Sequence, residues 1–205
     1  MQHQVGLGVC SGQLTDAEVI EGSLRAPGCF GIIFDRHGGE ILRYVYARLG
    51  PGAAEDAAAE TFLAAFRCRA RYDPARGEVR PWLYGIATRV IGKHRREERR
   101  QQSALQRQAM TAAQVVDDVA DRCAERADAG QFRSRVMTAV SDLPRQDRDL
   151  LLLIAWADLT YSEAALALGI PVGTVRSRLS RIRVKTRAAL GGTNPLRHEQ
   201  EDDHG

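Results

Sequence analysis

Residues 159–190, LTYSEAALALGIPVGTVRSRLSRIRVKTRAAL, leave this chain little choice of local structure. Thr160 is placed to cap a helix, and Glu163, three residues on, can return its carboxylate to the cap, which is the capping-box pattern. Ala164, Ala165 and Leu168 follow on one face, and Gly169 ends the helix after about two turns. Ile170-Pro171-Val172-Gly173 supplies a turn. A longer helix then resumes with Val175, Leu179 and Ile182 inward at spacings of four and three, while Arg176, Ser177, Arg178, Arg181, Arg183, Lys185 and Arg187 take much of its remaining surface. A short support helix, a glycine turn and a longer acid-free basic helix together predict a helix-turn-helix, whose second helix can enter the major groove. An ordinary helical hairpin with a basic, solvated face is the plainer alternative.

Charge elsewhere has the same uneven character. The 205 residues carry 29 Lys and Arg against 26 Asp and Glu, a net charge of only +3, and just two of the basic residues, Lys93 and Lys185, are lysine. Stretches 87–100 and 171–193 together hold +10, leaving −7 for everything else. The basic charge is therefore focused on two segments, as a polyanion-binding surface would need.

The first half also reads as helix. Leu14 to Phe34 is expected to be helical with a break at Pro27-Gly28, and His37-Gly38-Gly39 is expected to mark a further turn. Ile41, Leu42, Val45 and Leu49 recur at helical spacing until Gly50-Pro51-Gly52 stops the helix. The next segment, Ala53 to Phe66, predicts an apolar stripe of Ala59, Phe62, Leu63 and Phe66, with Glu55, Asp56 and Glu60 elsewhere on the helix. Those carboxylates suit either a solvated face or a docking patch for a basic partner. After a loop at Tyr72-Asp73-Pro74 and Gly77, Pro81 fits a first helical turn, and Leu83, Ile86, Val90 and Ile91 give the helix an inward side. Its distal half carries Arg89, Lys93, Arg95, Arg96, Arg99 and Arg100. Trp82 and Tyr84 near its start could stack on unpaired bases or simply fill the core.

Residues 101–133 lose strong hydrophobics and gain acid, as a partly helical linker would. The expected architecture is all-α: two small helical domains, 14–100 and 134–190, joined by that linker, the C-terminal one a helix-turn-helix, with a flexible tail at 191–205. Pro144 marks a helix junction, and the run Leu150 to Ile154 with Trp156 is too apolar to be exposed on all sides. Cys10, Cys29, Cys68 and Cys123 lack the close pairs of a zinc knuckle or a thioredoxin-like site and are expected to be unpaired. No cofactor or metal site is indicated. With no apolar run of membrane-spanning length and no leader pattern, the expectation is a cytoplasmic protein without membrane insertion. No phosphate-binding Gly-Lys-Ser/Thr loop or HExxH motif is present, so nothing points to an enzyme.

Taken together, AEDAAAETFLAAF, RYDPARGEVRPWLYGIATRVIGKHRR and the stretch from LPRQDRDLLLLIAWADLTYSEAALALGIPVG through TVRSRLSRIRVKTRAAL resemble an extracytoplasmic-function sigma factor, the compact group within the sigma-70 family. The first two segments resemble sigma region 2 and the third resembles region 4. A lone helix-turn-helix would be weak support; both motif sets in this order around a short linker are specific.

The resemblance implies a non-catalytic protein that joins core RNA polymerase, through its clamp and flap, and directs it to promoter DNA. By position it assigns polymerase docking to Glu55, Asp56, Glu60, Thr61 and Phe62. It assigns recognition and opening of the minus-ten element to Arg80, Trp82, Tyr84, Arg89, Lys93, Arg95 and Arg96. Reading of the minus-35 element falls to Thr174, Arg176, Ser177, Arg178 and Arg181, with Lys185 on backbone or partner. Arg89 and Lys93 stand where many relatives carry Asn and an acidic residue, and Ala57, Ala58 and Ala164 replace bulkier residues, from which a less filled core is expected. Family members are often held by an anti-sigma factor. A one-component helix-turn-helix regulator is the competing reading, because the second half alone would serve it.

Overall fold

The computed structural model describes residues 14–112 and 129–189. Every regular element among them is helical, as expected from the sequence. Helix α1 (Asp16–Arg25) begins with a complete capping box, in which Glu18 N–H donates to Thr15 Oγ1 at 3.3 Å and Thr15 N–H donates to Glu18 Oε2 at 2.7 Å. A 3-10 turn at Pro27–Phe30 leads into α2 (Gly31–Leu49), and Gly50, at φ 75°, ends it. Helix α3 (Pro51–Cys68) starts with proline in its first turn, where the missing N–H costs nothing. Two 3-10 turns, Arg69–Arg71 and Pro74–Arg76, precede α4 (Val79–Ala112). Helices α5 (Ala129–Ser141), α6 (Arg145–Ala155), α7 (Tyr161–Leu168) and α8 (Val172–Ala189) complete the described chain.

Three expectations change. His37-Gly38-Gly39 lies inside α2 rather than at a turn, because burial of Ile33, Ile41, Tyr44 and Val45 holds the helix through the glycines. On α3 the buried positions are Ala54, Ala57, Ala58, Thr61, Phe62 and Ala65; Ala59 and Leu63 are exposed. The stripe rotates because α3 packs between α2 and α4, and its small residues let both neighbours approach. Third, Cys29 is disulfide-bonded, whereas Cys68 is free; spacing along the chain says nothing about cysteines that folding brings together. Cys10, Cys123, residues 113–128 of the expected linker and the expected tail lie outside the described residues.

One hydrophobic core runs through both halves. Ile20, Ile33, Ile41, Val45, Phe62, Leu83 and Ile91 from α1 to α4 belong to the same buried cluster as Leu150, Leu153, Ala164, Val175, Leu179 and Ile182 from α6 to α8. Each fully buried Leu, Ile or Val in it contributes about 1.5–3 kcal/mol relative to exposure. Helix α4 is the centre of this packing. From Pro81 to Gly92 only Trp82 and Arg89 are not buried, because α2 and α3 cover one side of the helix and α7 covers the other. A helix apolar nearly all round is a helix enclosed by neighbours.

Candidate nucleic-acid and polymerase interface

The exposed residues of α8 follow from how α7 holds it. Thr160 accepts from Glu163 N–H at 3.3 Å while Glu163 Oε2 accepts from Thr160 N–H at 2.7 Å, so the predicted capping box is formed in both directions. Gly169 ends α7 in the left-handed region at φ 65°, ψ 37°, where a Cβ would be strained. Val175, Leu179 and Ile182 then seat α8 on the core, as the spacing predicted. Arg176, Ser177, Arg181 and Lys185 are exposed, and Thr174 and Arg178 are half-buried. Ser177 Oγ donates to Thr174 O at 3.1 Å, and Arg183 donates to Tyr161 Oη at 3.0 Å. Among the described residues no carboxylate pairs with any cation of α8. Its charge is therefore available to a polyanion.

Helix α4 presents a different picture. Arg80 donates through Nε to Glu40 Oε2 at 3.0 Å and through Nη2 to the carbonyl of Ala157, between α6 and α7. Tyr84 is buried, packed edge-on against Tyr44 at 5.1 Å, and burial together with the Glu40 charge pushes its hydroxyl up to about 12. Trp82 is half-buried with its ring tilted against Tyr72 at 5.3 Å. Arg89 and Arg96 are exposed, Arg89 turning back to Gly85 O at 3.1 Å. Arg95 donates to Arg48 O at 2.6 Å. Most of the polar groups expected at the minus-ten element thus already have protein partners.

The acidic patch on α3 divides in the same way. Glu55 and Asp56 are exposed, whereas Thr61 and Phe62 are core residues: Thr61 donates to Ala57 O at 2.7 Å, and Phe62 meets Phe34 edge-on at 5.0 Å. Glu60 takes Lys93 Nζ on Oε1 at 2.7 Å and His94 Nε2 on Oε2 at 2.9 Å. The hydrogen bond from Lys93 holds the Glu60 carboxyl below its ordinary value and lifts the Lys93 ammonium in return. Two residues expected to face different partners therefore meet each other. Leu63 on α3 and Phe34 on α2, 47% and 53% exposed, add apolar surface beside the patch. Sequence periodicity assigned Leu63 to the core, whereas α3 turns Ala57, Ala58, Thr61 and Phe62 inward and leaves Leu63 exposed.

A polar network missing from the sequence reading supports α4 from below. His37 Nε2 meets Asp16 Oδ2 at 2.5 Å and its Nδ1 meets Glu40 Oε1 at 2.8 Å, while Arg36 donates to Asp16 at 2.6 Å. Burial opposes charging of this imidazole, but the bonds to Glu40 and Asp16 outweigh it and raise the His37 pKa. Between the halves, the buried Arg48 guanidinium pairs with Asp149, and Arg145 lies 3.7 Å from the other carboxylate oxygen. Burial lifts the Asp149 carboxyl above its ordinary value against the pull of these arginines.

Residues 33–101 match the family model of sigma-70 region 2, and residues 133–186 match that of sigma-70 region 4. The chain belongs to the sigma-70 family. The ECF RNA polymerase sigma factor SigC of Mycobacterium tuberculosis is 33% identical over 144 residues, covering 70% of this chain and 74% of that protein. The RNA polymerase sigma factor HrpL of Pseudomonas syringae pv. syringae is 33% identical over 131 residues, 63% of this chain and 68% of that one. Among solved structures, CnrH in complex with the cytosolic domain of CnrY matches with a TM-score of 0.56 at 25% identity, over 85% of this chain and 94% of CnrH. This sigma factor belongs to the extracytoplasmic-function group, and it directs RNA polymerase to promoters rather than catalysing a reaction. No helix among the described residues is long and apolar enough to cross a membrane.

Proposed function

We propose a division of labour between the two halves of this sigma factor. Residues 14–100 act as region 2, residues 101–133 as the linker and residues 134–190 as region 4. The single observation that carries this reading is the contrast between the two basic helices: the cations of α8 meet no carboxylate among the described residues and stand on a capped support, whereas Arg80, Lys93 and Arg95 of α4 are held by partners on other elements. Helix α8 is built to meet duplex DNA directly, with Arg176, Arg178 and Arg181 near base edges or phosphates of the minus-35 element and Lys185 on the backbone.

Region 2 meets the polymerase clamp through Glu55 and Asp56 with Leu63 beside them; Thr61 and Phe62 hold α3 in place beneath that face. The minus-ten element is met by Trp82 and the cations Arg80, Arg89, Lys93, Arg95 and Arg96, while buried Tyr84 positions α4. Contact with single-stranded bases fits an aromatic ring flanked by cations. The sigma factor works in the cytoplasm, with core polymerase, promoter DNA and an anti-sigma factor as its partners; the solved pairing of CnrH with CnrY supports the last of these. Charge reversal of Glu55 and Asp56 tests the docking face. Polymerase affinity is expected to fall while duplex binding through α8 is kept, and unchanged polymerase affinity would reject the assignment.

A further inference from the structure

A cleft of about 980 Å³ opens between α2, α5, α6 and α8, with Arg95 of α4 also in its lining. That volume lies at the upper end of the roughly 300–1,000 Å³ of small-molecule sites. Val140, Leu151 and Leu152 make its walls aliphatic. Leu42, Tyr46, Met137 and Trp156 join them at 37%, 54%, 64% and 59% exposure. These four are among ten large apolar side chains exposed over the described residues, so much of that exposed surface is gathered in one place. Apolar surface concentrated in this way marks a binding site rather than chance exposure.

The polar part of the lining has a single sign. Arg43, Arg48, Arg95 and Arg148 line the cleft, and among the described residues no Asp or Glu does so. Arg48 is buried and donates through Nη2 to Asp149, whereas its Nε and Nη1 have no hydrogen-bond partner among the described residues. Arg95 donates to Arg48 O at 2.6 Å and Arg148 donates through Nε to Val140 O at 3.1 Å; these carbonyls are neutral and leave both charges uncompensated. Asp149 is one carboxylate on which Arg48, Arg145, Arg95 and Arg148 all act. Burial and the like charges of Arg48, Arg148 and Arg145 hold the Arg95 guanidinium below its ordinary value. Cations withdrawn from water are costly without a counter-charge, and a guanidinium matches a carboxylate through two parallel hydrogen bonds.

We infer that this cleft binds a single-chain carboxylate amphiphile, its head among Arg43, Arg95 and Arg148 and its acyl chain along Leu42, Met137, Val140 and Leu152. The excess of guanidinium over carboxylate selects the anionic head, and the aliphatic walls select the chain. A nucleic-acid backbone would satisfy the cations but would leave those walls without an apolar partner. Met137 is unbranched and adapts to a flexible chain. The two halves supply the lining jointly, α2 and α4 from the first and α5, α6 and α8 from the second. The inference does not depend on the DNA-binding roles proposed for α4 and α8.

The test titrates the full-length chain with octanoate, decanoate and dodecanoate below their micelle concentrations, read by calorimetry and by tryptophan fluorescence, since Trp156 lies in the lining. Affinity is expected to rise about threefold to fourfold per methylene. Dodecanol and dodecyltrimethylammonium, which keep the chain but lose the anionic head, are expected to bind at least about tenfold more weakly than dodecanoate. Arg43 and Met137 are exposed, so changes there leave the core intact. Arg43→Gln is expected to weaken dodecanoate by about threefold to tenfold, and Met137→Glu, which sets a carboxylate in the cleft, by about tenfold or more. Affinity that ignores chain length or head charge, or that is unchanged in both variants, would overturn the site. Two other occupants are covered by the same experiment. A wild-type dimer that Met137→Glu splits would assign the cleft to a second copy, and binding of an acidic amphipathic peptide helix without binding of dodecanoate would assign it to a protein; either result would overturn the proposal.

Discussion

Replacing Asp149 by leucine puts the shared core under a defined load. The Arg48 side chain is 1% exposed, and among the described residues Asp149 is its sole carboxylate partner and Arg48 Nε and Nη1 have no hydrogen-bond partner. Removing one member of a buried ion pair costs about 3–5 kcal/mol, because the remaining charge is stranded. That load exists only while the halves stay docked, since separation returns Arg48 to water. The expected result is therefore undocking rather than collapse of either half. Trp82 and Trp156 are the only two tryptophans and lie one in each half, so single-tryptophan variants report the halves separately during urea unfolding. Wild-type transitions should coincide; in Asp149→Leu they should part. Arg48→Met combined with Asp149→Leu removes both charges and should return stability to within about 1 kcal/mol of wild type, because packed apolar residues substitute well for a buried pair. A loss below about 0.5 kcal/mol with coincident transitions, or a double variant as damaged as the single one, would show that the Arg48–Asp149 pair does not hold the halves together.

Stability should also depend on pH through the network under α4. The lowered values of Asp16 and Glu40 contribute stability above their ordinary pKa values of 3.8 and 4.5 that disappears as pH falls, and the raised value of His37 contributes stability below 6.5 that disappears as pH rises past its folded value. Thermal melts should show a plateau between about pH 4.5 and 6.5, and His37→Ala should remove the decline on the alkaline side. Thr160→Ala should cost about 1 kcal/mol by loss of the α7 cap, read as a lower urea midpoint at constant m-value. Neutralising Arg176 and Arg178 should reduce discrimination between a matched and a scrambled minus-35 duplex, whereas Lys185→Gln should weaken both alike and lower the salt slope by about one. Equal effects of all three substitutions on both duplexes would contradict that division.

The helix-turn-helix was legible because its determinants are local. A capping box, a left-handed glycine and apolar residues at spacings of four and three each act within a few residues, and all three stand in the structure as read. The capping box of Thr15 and Glu18 carried the same signal and could have been read the same way. Helix α2 defeated the local rule at Gly38-Gly39 because packing of Ile33 and Ile41 outweighs the cost of two glycines. The stripe on α3 was misplaced because a helix between two neighbours needs small residues, not large ones, on its inner side, and alanine periodicity is a faint signal. At the candidate interface, residue types were legible but their engagement was not. Glu60 and Lys93 are 33 residues apart, Arg80 and Ala157 are 77 apart, and Arg48 and Asp149 are 101 apart. No spacing rule reaches across such distances, so the seam between the halves emerges only in three dimensions.

The proposed function has this sigma factor bring core polymerase to promoters through two separate DNA contacts. Start sites gained on its expression define the promoter, and reconstituted initiation with core polymerase on that promoter tests the claim most directly. Transcripts are expected only when the sigma factor is present, and they should be lost when either the minus-ten or the minus-35 element is scrambled. Initiation that survives scrambling of one element, or no stable association with core polymerase at all, would contradict the account.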